Sequence, residues 1–238
     1  MSFKHGSDAE LWLGSADLSA FFNDMGFAAD VDTAETTTFK KTWKTHIPGA
    51  AGAKLDTKGL YDPDQMALPA LLQAAGGAVL TAGPAGLVAI GDLARLLQVD
   101  VVTYAEASPV GGVVGFTCAF SADGTVGFGY ALHPLAEDTN TTTGADQDDA
   151  AATTTGWTAH LHVTAVDGGS WVVKLQDAAT TDWTDVTGEA FTAATAGSSQ
   201  RLVGASGATL RRHVRYVATR TGGSAGNGIT FGLAVARN

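Results

Sequence analysis

Apolar and polar positions alternate most cleanly in the last third of the chain. Trp157, Ala159, Leu161, Val163 and Ala165 fall on one face of an extended segment, and Thr158, His160, His162 and Thr164 on the other. That is the period-two pattern of a strand. Gly168-Gly169 then turns the chain into a second apolar run, 171–176. Further strands are predicted near 200–203, 210–219 and 229–236, with turn-rich stretches at 204–207 and 221–228 between them. Upstream, 99–107 is β-branched and reads as a buried strand. Residues 113–120 and 125–132 flank Ser121-Ala-Asp-Gly124, which predicts a hairpin with Gly124 at the position of positive φ.

The first 62 residues read as irregular structure with short strands: 10–14, a turn and a short piece over 16–22, then 36–39 and 43–46. One helix is predicted over 64–75. Asp64 is its N-cap, Pro69 sits early, and Gly76-Gly77 stops it. A second helical turn is predicted from Asp92 through Leu93, Leu96 and Leu97, at helical spacing. Many short strands with Gly-rich turns and one short helix predict an all-β sandwich or barrel. We read 1–238 as one domain. Residues 136–156 hold seven Thr and five acids with no basic residue, the composition of a solvated, mobile excursion.

Composition agrees with that class. Glycine accounts for 30 of 238 residues and charged residues for only 16%, while 45% are hydrophobic, enough for a core. Charge is unevenly placed. Residues 201–238 carry six Arg and no carboxylate, while the other 200 carry 8 basic and 24 acidic side chains, leaving a net −10. Such asymmetry concerns association rather than fold. A net-acidic chain is poorly suited to binding nucleic acid through its phosphates. No stretch of about 18 apolar residues exists, so no membrane span is expected. The first ten residues lack an apolar run, so no secretory leader is expected.

Little points to catalysis. Cys118, the one cysteine, lies between Phe116 and Phe120 and reads as a small buried hydrophobe. His160 and His162 share a strand face, a spacing a metal site can use, but no third ligand follows nearby, so they read as surface or interface histidines. The acids at 146–149 lack the spacing of a calcium loop. The Asn140-Thr-Thr142 sequon carries no weight without a leader. No nucleophile elbow, phosphate loop or paired-cysteine motif occurs. We therefore expect no enzyme, no metal and no cofactor. The most distinctive charged segment is 210–220. Alternation puts Arg211, His213 and Arg215 on one side, and Leu210, Arg212, Val214 and Tyr216 on the other. With no acid nearby in sequence, Arg211, Arg212, Arg215 and Arg220 are candidate subunit contacts, because arginine pairs carboxylates in a bidentate fork.

Several stretches resemble one known family. They are Leu11-Trp-Leu-Gly-Ser-Ala-Asp-Leu-Ser-Ala20, Thr36-Thr-Thr-Phe39, Lys44-Thr-His-Ile-Pro-Gly49 and Lys58-Gly-Leu-Tyr-Asp62. Downstream they are joined by Val173-Lys-Leu-Gln-Asp177, Trp183-Thr-Asp-Val186 and Leu210-Arg-Arg-His-Val-Arg215. Together they resemble the major tail tube proteins of long-tailed, siphovirus-like bacteriophages. The resemblance implies a β-sandwich or barrel of which six copies close into a ring. Rings would stack into a tube, each copy lending strands to a shared inner barrel. It also implies other tail proteins as partners: terminator, tape measure and distal tail. DNA would pass through the lumen without specific binding, which an acidic wall favours. The location would be the virion tail, non-contractile and assembled in the host cytoplasm. Rival classes are a capsid decoration protein, a hydrolase with a spatially assembled triad, and a carbohydrate-binding β-sandwich of a tail fibre using Trp157, Trp171 or Trp183.

Overall fold

The structure, a computed structural model, describes residues 6–39, 42–61, 76–224 and 226–238. The helix expected over 64–75 lies outside the described residues. Among those described, the only helical element is a 3-10 turn, Gly6–Asp8, and the rest of the regular structure is strand. The all-β expectation therefore holds. By internal contacts the chain groups into two compact units. One comprises Met1–Ala20, Ala78–Gln98 and Val126–Asn238, the other Phe21–Gly77 and Val99–Thr125.

The first unit is layered. Its central sheet is built on β11 (Trp157–Val166), which pairs antiparallel with β16 (Ile229–Arg237) and with β14 (Ser198–Val203). Next to β16 lies β8 (Gly127–Asp138), followed by the first residues of β6 (Leu93–Ala107), then β5 (Ala78–Gly83), β1 (Glu10–Leu13) and β2 (Ala16–Asp17). A separate sheet joins β12 (Ser170–Ala178), β13 (Thr184–Ala190) and β15 (His213–Thr221). Between the sheets lies the main core. Trp157, Ala159, Leu161 and Val163 of β11 meet Trp171, Val173 and Leu175 of β12, Val214, Tyr216 and Ala218 of β15, and Phe231, Leu233 and Val235 of β16. The apolar face read from the sequence is this one. The opposite face of β16 carries Ala234 and Ala236 into a second cluster with Trp12, Leu87, Leu96 and Ala131. Gly232 sits there because the Trp12 ring comes so close that a Cβ would stand 2.6 Å from it. β16 is thus covered on both faces, and so is β6 at Leu96 and Leu97.

That double cover explains the first correction. Leu96 and Leu97 are both fully buried because β6 is packed on both sides there. The 93/96/97 spacing only imitates a helix, and Asp92 accepts from the Ala89 N–H in a turn (2.8 Å) instead of capping one. A second correction concerns the expected hairpin. β7 (Gly115–Ala122) and β8 both form, and Gly124 has φ +89°, but they do not pair with each other. β6 is 15 residues long and takes both as partners, β8 through Leu93–Leu96 and β7 through Val99–Ala107.

A third correction concerns 136–156, expected as a mobile excursion. Ala136–Asp138 end β8, and two short strands, β9 (Thr142–Thr143) and β10 (Gln147–Asp148), are laddered onto β15. The backbone N–H groups of Gly144, Asp149 and Thr153 donate to Tyr216, Arg212 and Leu210 carbonyls at 2.9–3.1 Å. The acids that make this stretch look like a linker find arginine partners more than 60 residues away.

Among the described residues the second unit is a four-stranded antiparallel sheet. β3 (Phe22–Glu35) pairs with β4 (His46–Leu60), β4 with β7, and β7 with the later residues of β6. Ala53 and Leu55 of β4 and Phe116, Cys118 and Phe120 of β7 are buried. Phe22 and Tyr104 ring-pack against Phe116 at 5.4 and 5.9 Å. The predicted strands at 36–39 and 43–46 are the loop of this hairpin, apart from His46, which starts β4. The hairpin itself went unread because residues 28–35 alternate nothing: both faces are exposed.

Candidate assembly surface

The arginine-rich segment begins just before β15, not inside it. Arg211 and Arg212 lie in a bend, so strand alternation starts at His213 and the expected placement of Arg212 on the apolar face does not occur. Val214, Tyr216 and Ala218 point into the core, while His213, Arg215 and Val217 are half-buried on the other face. All four candidate arginines are engaged within their own copy. Arg211 donates from Nε to the buried Asp177 carboxylate at 2.7 Å, from Nη1 to Asp182 at 2.6 Å and from Nη2 to Thr184 Oγ1. Backbone N–H groups, chiefly that of Thr180, together with Arg211 hold the Asp182 carboxyl below its usual range. Arg212 forks onto both oxygens of Asp148, whose carboxyl its hydrogen bonds hold far below the ordinary carboxylate value. Both members of that pair are nearly half exposed. Arg215 donates to Gln176 Oε1 and lies 4.0 Å over the Trp183 ring. Arg220 donates to the Ser224 and Asn227 carbonyls at 2.9 and 3.0 Å.

A fifth arginine was missed. Arg237 closes β16 and donates to Asp149 at 2.7 Å and to the carbonyls of Leu210 and Arg211 at 2.6 Å each. Tyr130 donates its hydroxyl to the same Asp149 carboxylate at 2.6 Å. Arg237 and Asp149 are each only 13% exposed. The charge count flagged 201–238, but nothing local singled out this residue.

His160 and His162 are fully buried between β11 and β5, a correction to the expected surface or interface placement. β11 carries them on its second face, which β1 and β5 cover. Cys118 is buried as expected, and burial pushes its thiol up to about 12. Of the aromatic residues considered for sugar stacking, Trp157 and Trp171 are fully buried, and one face of Trp183 is taken by Arg215. Among the described residues no group of three or more His, Cys, Asp or Glu side chains could hold a metal ion. No described helix is long and apolar enough to cross a membrane.

Among the described residues the hairpin of the second unit is the most exposed feature. Residues 28–35 of β3 and 46–52 of β4 form a two-stranded ribbon exposed on both faces. Its loop carries Phe39 and Trp43, 101% and 81% exposed, and its strands Val31 and Ile47. Beyond β4, β3 has no second ladder partner among the described residues. Nearer the base, one sheet face is lined by small and polar side chains: Thr103, Thr117, Ala119 and Gly26, with Asp24–Lys58 (3.0 Å) and Lys54–Asp56 (3.9 Å) as ion pairs.

No protein-family model matches the chain, and no curated protein does. Among solved structures it is similar to a chain of the native gene transfer agent virion, with 14% identity and TM-score 0.40 over 53% of this chain and 98% of that one. The tail of an empty gene transfer agent particle with C6 symmetry gives 14% and 0.38 over the same shares. The Dit protein (gp 19.1) of phage SPP1, a hub of the adsorption apparatus, gives 11% and 0.40 over 96% of this chain and 98% of that one.

Proposed function

We propose that this chain is a structural subunit of a phage-type tail, joined to copies of itself in six-membered rings that stack into a tube. The open edge of β3 receives a strand of the neighbouring copy, and the hairpin tip docks on another subunit. The carrying observation is the ribbon of residues 28–35 and 46–52, whose faces and outer edge, with Phe39 and Trp43 at its tip, are left open by the described residues. An isolated two-stranded ribbon is marginal in water, and an open edge is a template for pairing. Ring closure removes both liabilities at once. The motif resemblance at 11–20, 36–39, 44–49 and 58–62 supports the same reading. The face bearing Asp24, Asp56, Thr103 and Thr117 suits a lumen: small side chains, with its lysines already paired, give DNA little to hold. The terminator, tape measure and distal tail proteins would be the partners at the tube ends. Arg212, the most exposed of the four candidate arginines, remains the one best placed to reach a neighbouring copy.

Electron microscopy and sedimentation of the purified protein test this. Rings or tubes are expected, with upwards of roughly 2,000 Å² buried per contact. Phe39→Ser with Trp43→Ser should stop assembly while leaving the circular dichroism of the folded subunit unchanged. A wild-type chain that stays monomeric at high concentration refutes the proposal.

A further inference from the structure

The first unit holds a buried polar chain that neither the strand pattern nor the assembly requires. His162 Nδ1 lies 2.8 Å from the Gly14 carbonyl, which can only accept, so Nδ1 carries the proton. Its Nε2 is then an acceptor, 2.8 Å from Thr81 Oγ1, and takes the Thr81 hydroxyl proton. Thr81 Oγ1 has no further proton to give, so His160 Nδ1, at 3.1 Å, must donate to it. Every donor and acceptor in the chain has one role, running His160 to Thr81 to His162 to Gly14. Three elements are thereby tied to β11: β5 through Thr81, and β1 and β2 through the Gly14 turn between them. Gly14 has φ +59°, a conformation that aims its carbonyl from the tight turn and suits glycine.

The chain has no place for an extra proton. His160 Nε2 is buried without a hydrogen-bond partner. Protonated there, it would be a buried charge opposite Arg201, its cross-strand neighbour on β14, with only the Leu80 carbonyl to offset it. Protonated at Nε2, His162 can no longer accept from Thr81, and the buried Thr81 hydroxyl proton loses its acceptor. The groups facing the pair are Thr81 and the Leu80 carbonyl on β5, Gly14 in the turn, Trp12 on β1 with its ring 5.7 Å from His162, and Arg201 on β14. Gly232 and Ala234, their partners on β16, bring no charge.

We propose that Thr81, His160 and His162 form a proton-sensitive latch that holds β1, β2 and β5 on β11 while neutral and releases them when protonated. The latch is independent of whether the chain builds a tail. Burial pushes the His162 imidazole down from 6.5 to about 4, and burial with the neighbouring His162 and Arg201 pushes His160 well below its ordinary value. The unfolded chain binds these protons more readily than the folded one. The stabilisation is therefore complete above about pH 6.5 and is lost as pH falls towards 4. Between pH 6.5 and 4 His162 alone raises the opening equilibrium roughly 80-fold, and the full factor of roughly 300 is reached only well below pH 4.

Two readouts on the full chain test the latch, and both work on free or assembled protein. Exchange of the imidazole Cε1 hydrogens, followed by mass spectrometry against pH, should give a His162 midpoint near 4 and a His160 midpoint well below 6.5. A midpoint near 6.5 for either overturns the proposal, and this measurement needs no variant. Amide exchange of Glu10–Asp17 should accelerate beyond its chemical rate between pH 6.5 and 4, ahead of β15. His162→Gln keeps a donor for Gly14 but cannot titrate, and should flatten that dependence. Continued protection of Glu10–Asp17 in acid, or wild-type pH dependence in His162→Gln, also overturns it.

Discussion

Removing Arg237 tests the energetics of the first unit most sharply. Its guanidinium is the junction between the end of β16, the Leu210–Arg212 bend and Asp149 on the segment after β10. In Arg237→Ala, Asp149 keeps Tyr130 as a close partner but loses its counter-charge, and the Leu210 and Arg211 carbonyls lose short charge-assisted bonds. Arg237 and Asp149 are both 13% exposed, so water replaces little of this. A largely buried pair broken on one side costs about 3–5 kcal/mol, against under about 1 for an exposed pair. For a chain this long that lowers the melting temperature by roughly 6–20 °C. Urea unfolding of the unassembled subunit, followed by near-ultraviolet circular dichroism, measures it. A cycle with Asp149→Ala isolates the pair, with a coupling of about 1–3 kcal/mol expected. Arg212→Ala, which removes a half-exposed pair, is the control and should leave the midpoint unmoved. A loss below about 1 kcal/mol for Arg237→Ala would show that the network is solvated and the reasoning wrong.

Arg211→Ala should destabilise the subunit itself, by less than Arg237→Ala, because it strands the buried Asp177; equal unfolding midpoints for variant and wild type would contradict this. Arg215→Ala should instead leave folding nearly intact and expose Trp183, seen as a red-shifted fluorescence maximum. The amides of Gly144, Asp149 and Thr153 should exchange slowly even in the unassembled subunit; rapid exchange there would restore the linker reading of 136–156. Cys118 should resist thiol reagents at pH 8 until the protein is unfolded, since its thiol titrates near 12, and Cys118→Ala should cost on the order of 1 kcal/mol.

Period-two alternation was enough to read β11 and the side of it that enters the main core, because its large apolar residues all fall on that face, and β12 and β16 were legible as apolar stretches set off by glycine-rich turns. It was enough to place Cys118 in the interior and to call the class all-β. It failed where residue type does not distinguish the two faces. β6 is covered on both sides near Leu96 and Leu97, so its spacing looked helical, and residues 28–35 of β3 are exposed on both sides, so a 14-residue strand looked like loop. Composition misread 136–156 for a related reason: whether Asp148 and Asp149 are solvated depends on Arg212 and Arg237, which only the folded chain brings to them. The same holds for His160 and His162. Their shared strand face was legible from the sequence, but β1 and β5 cover that face, and a residue's own strand carries no record of what a distant segment lays over it. Pairing partners, the second layer and the tautomers of the histidine chain are all long-range contacts, and these the tertiary structure alone decided.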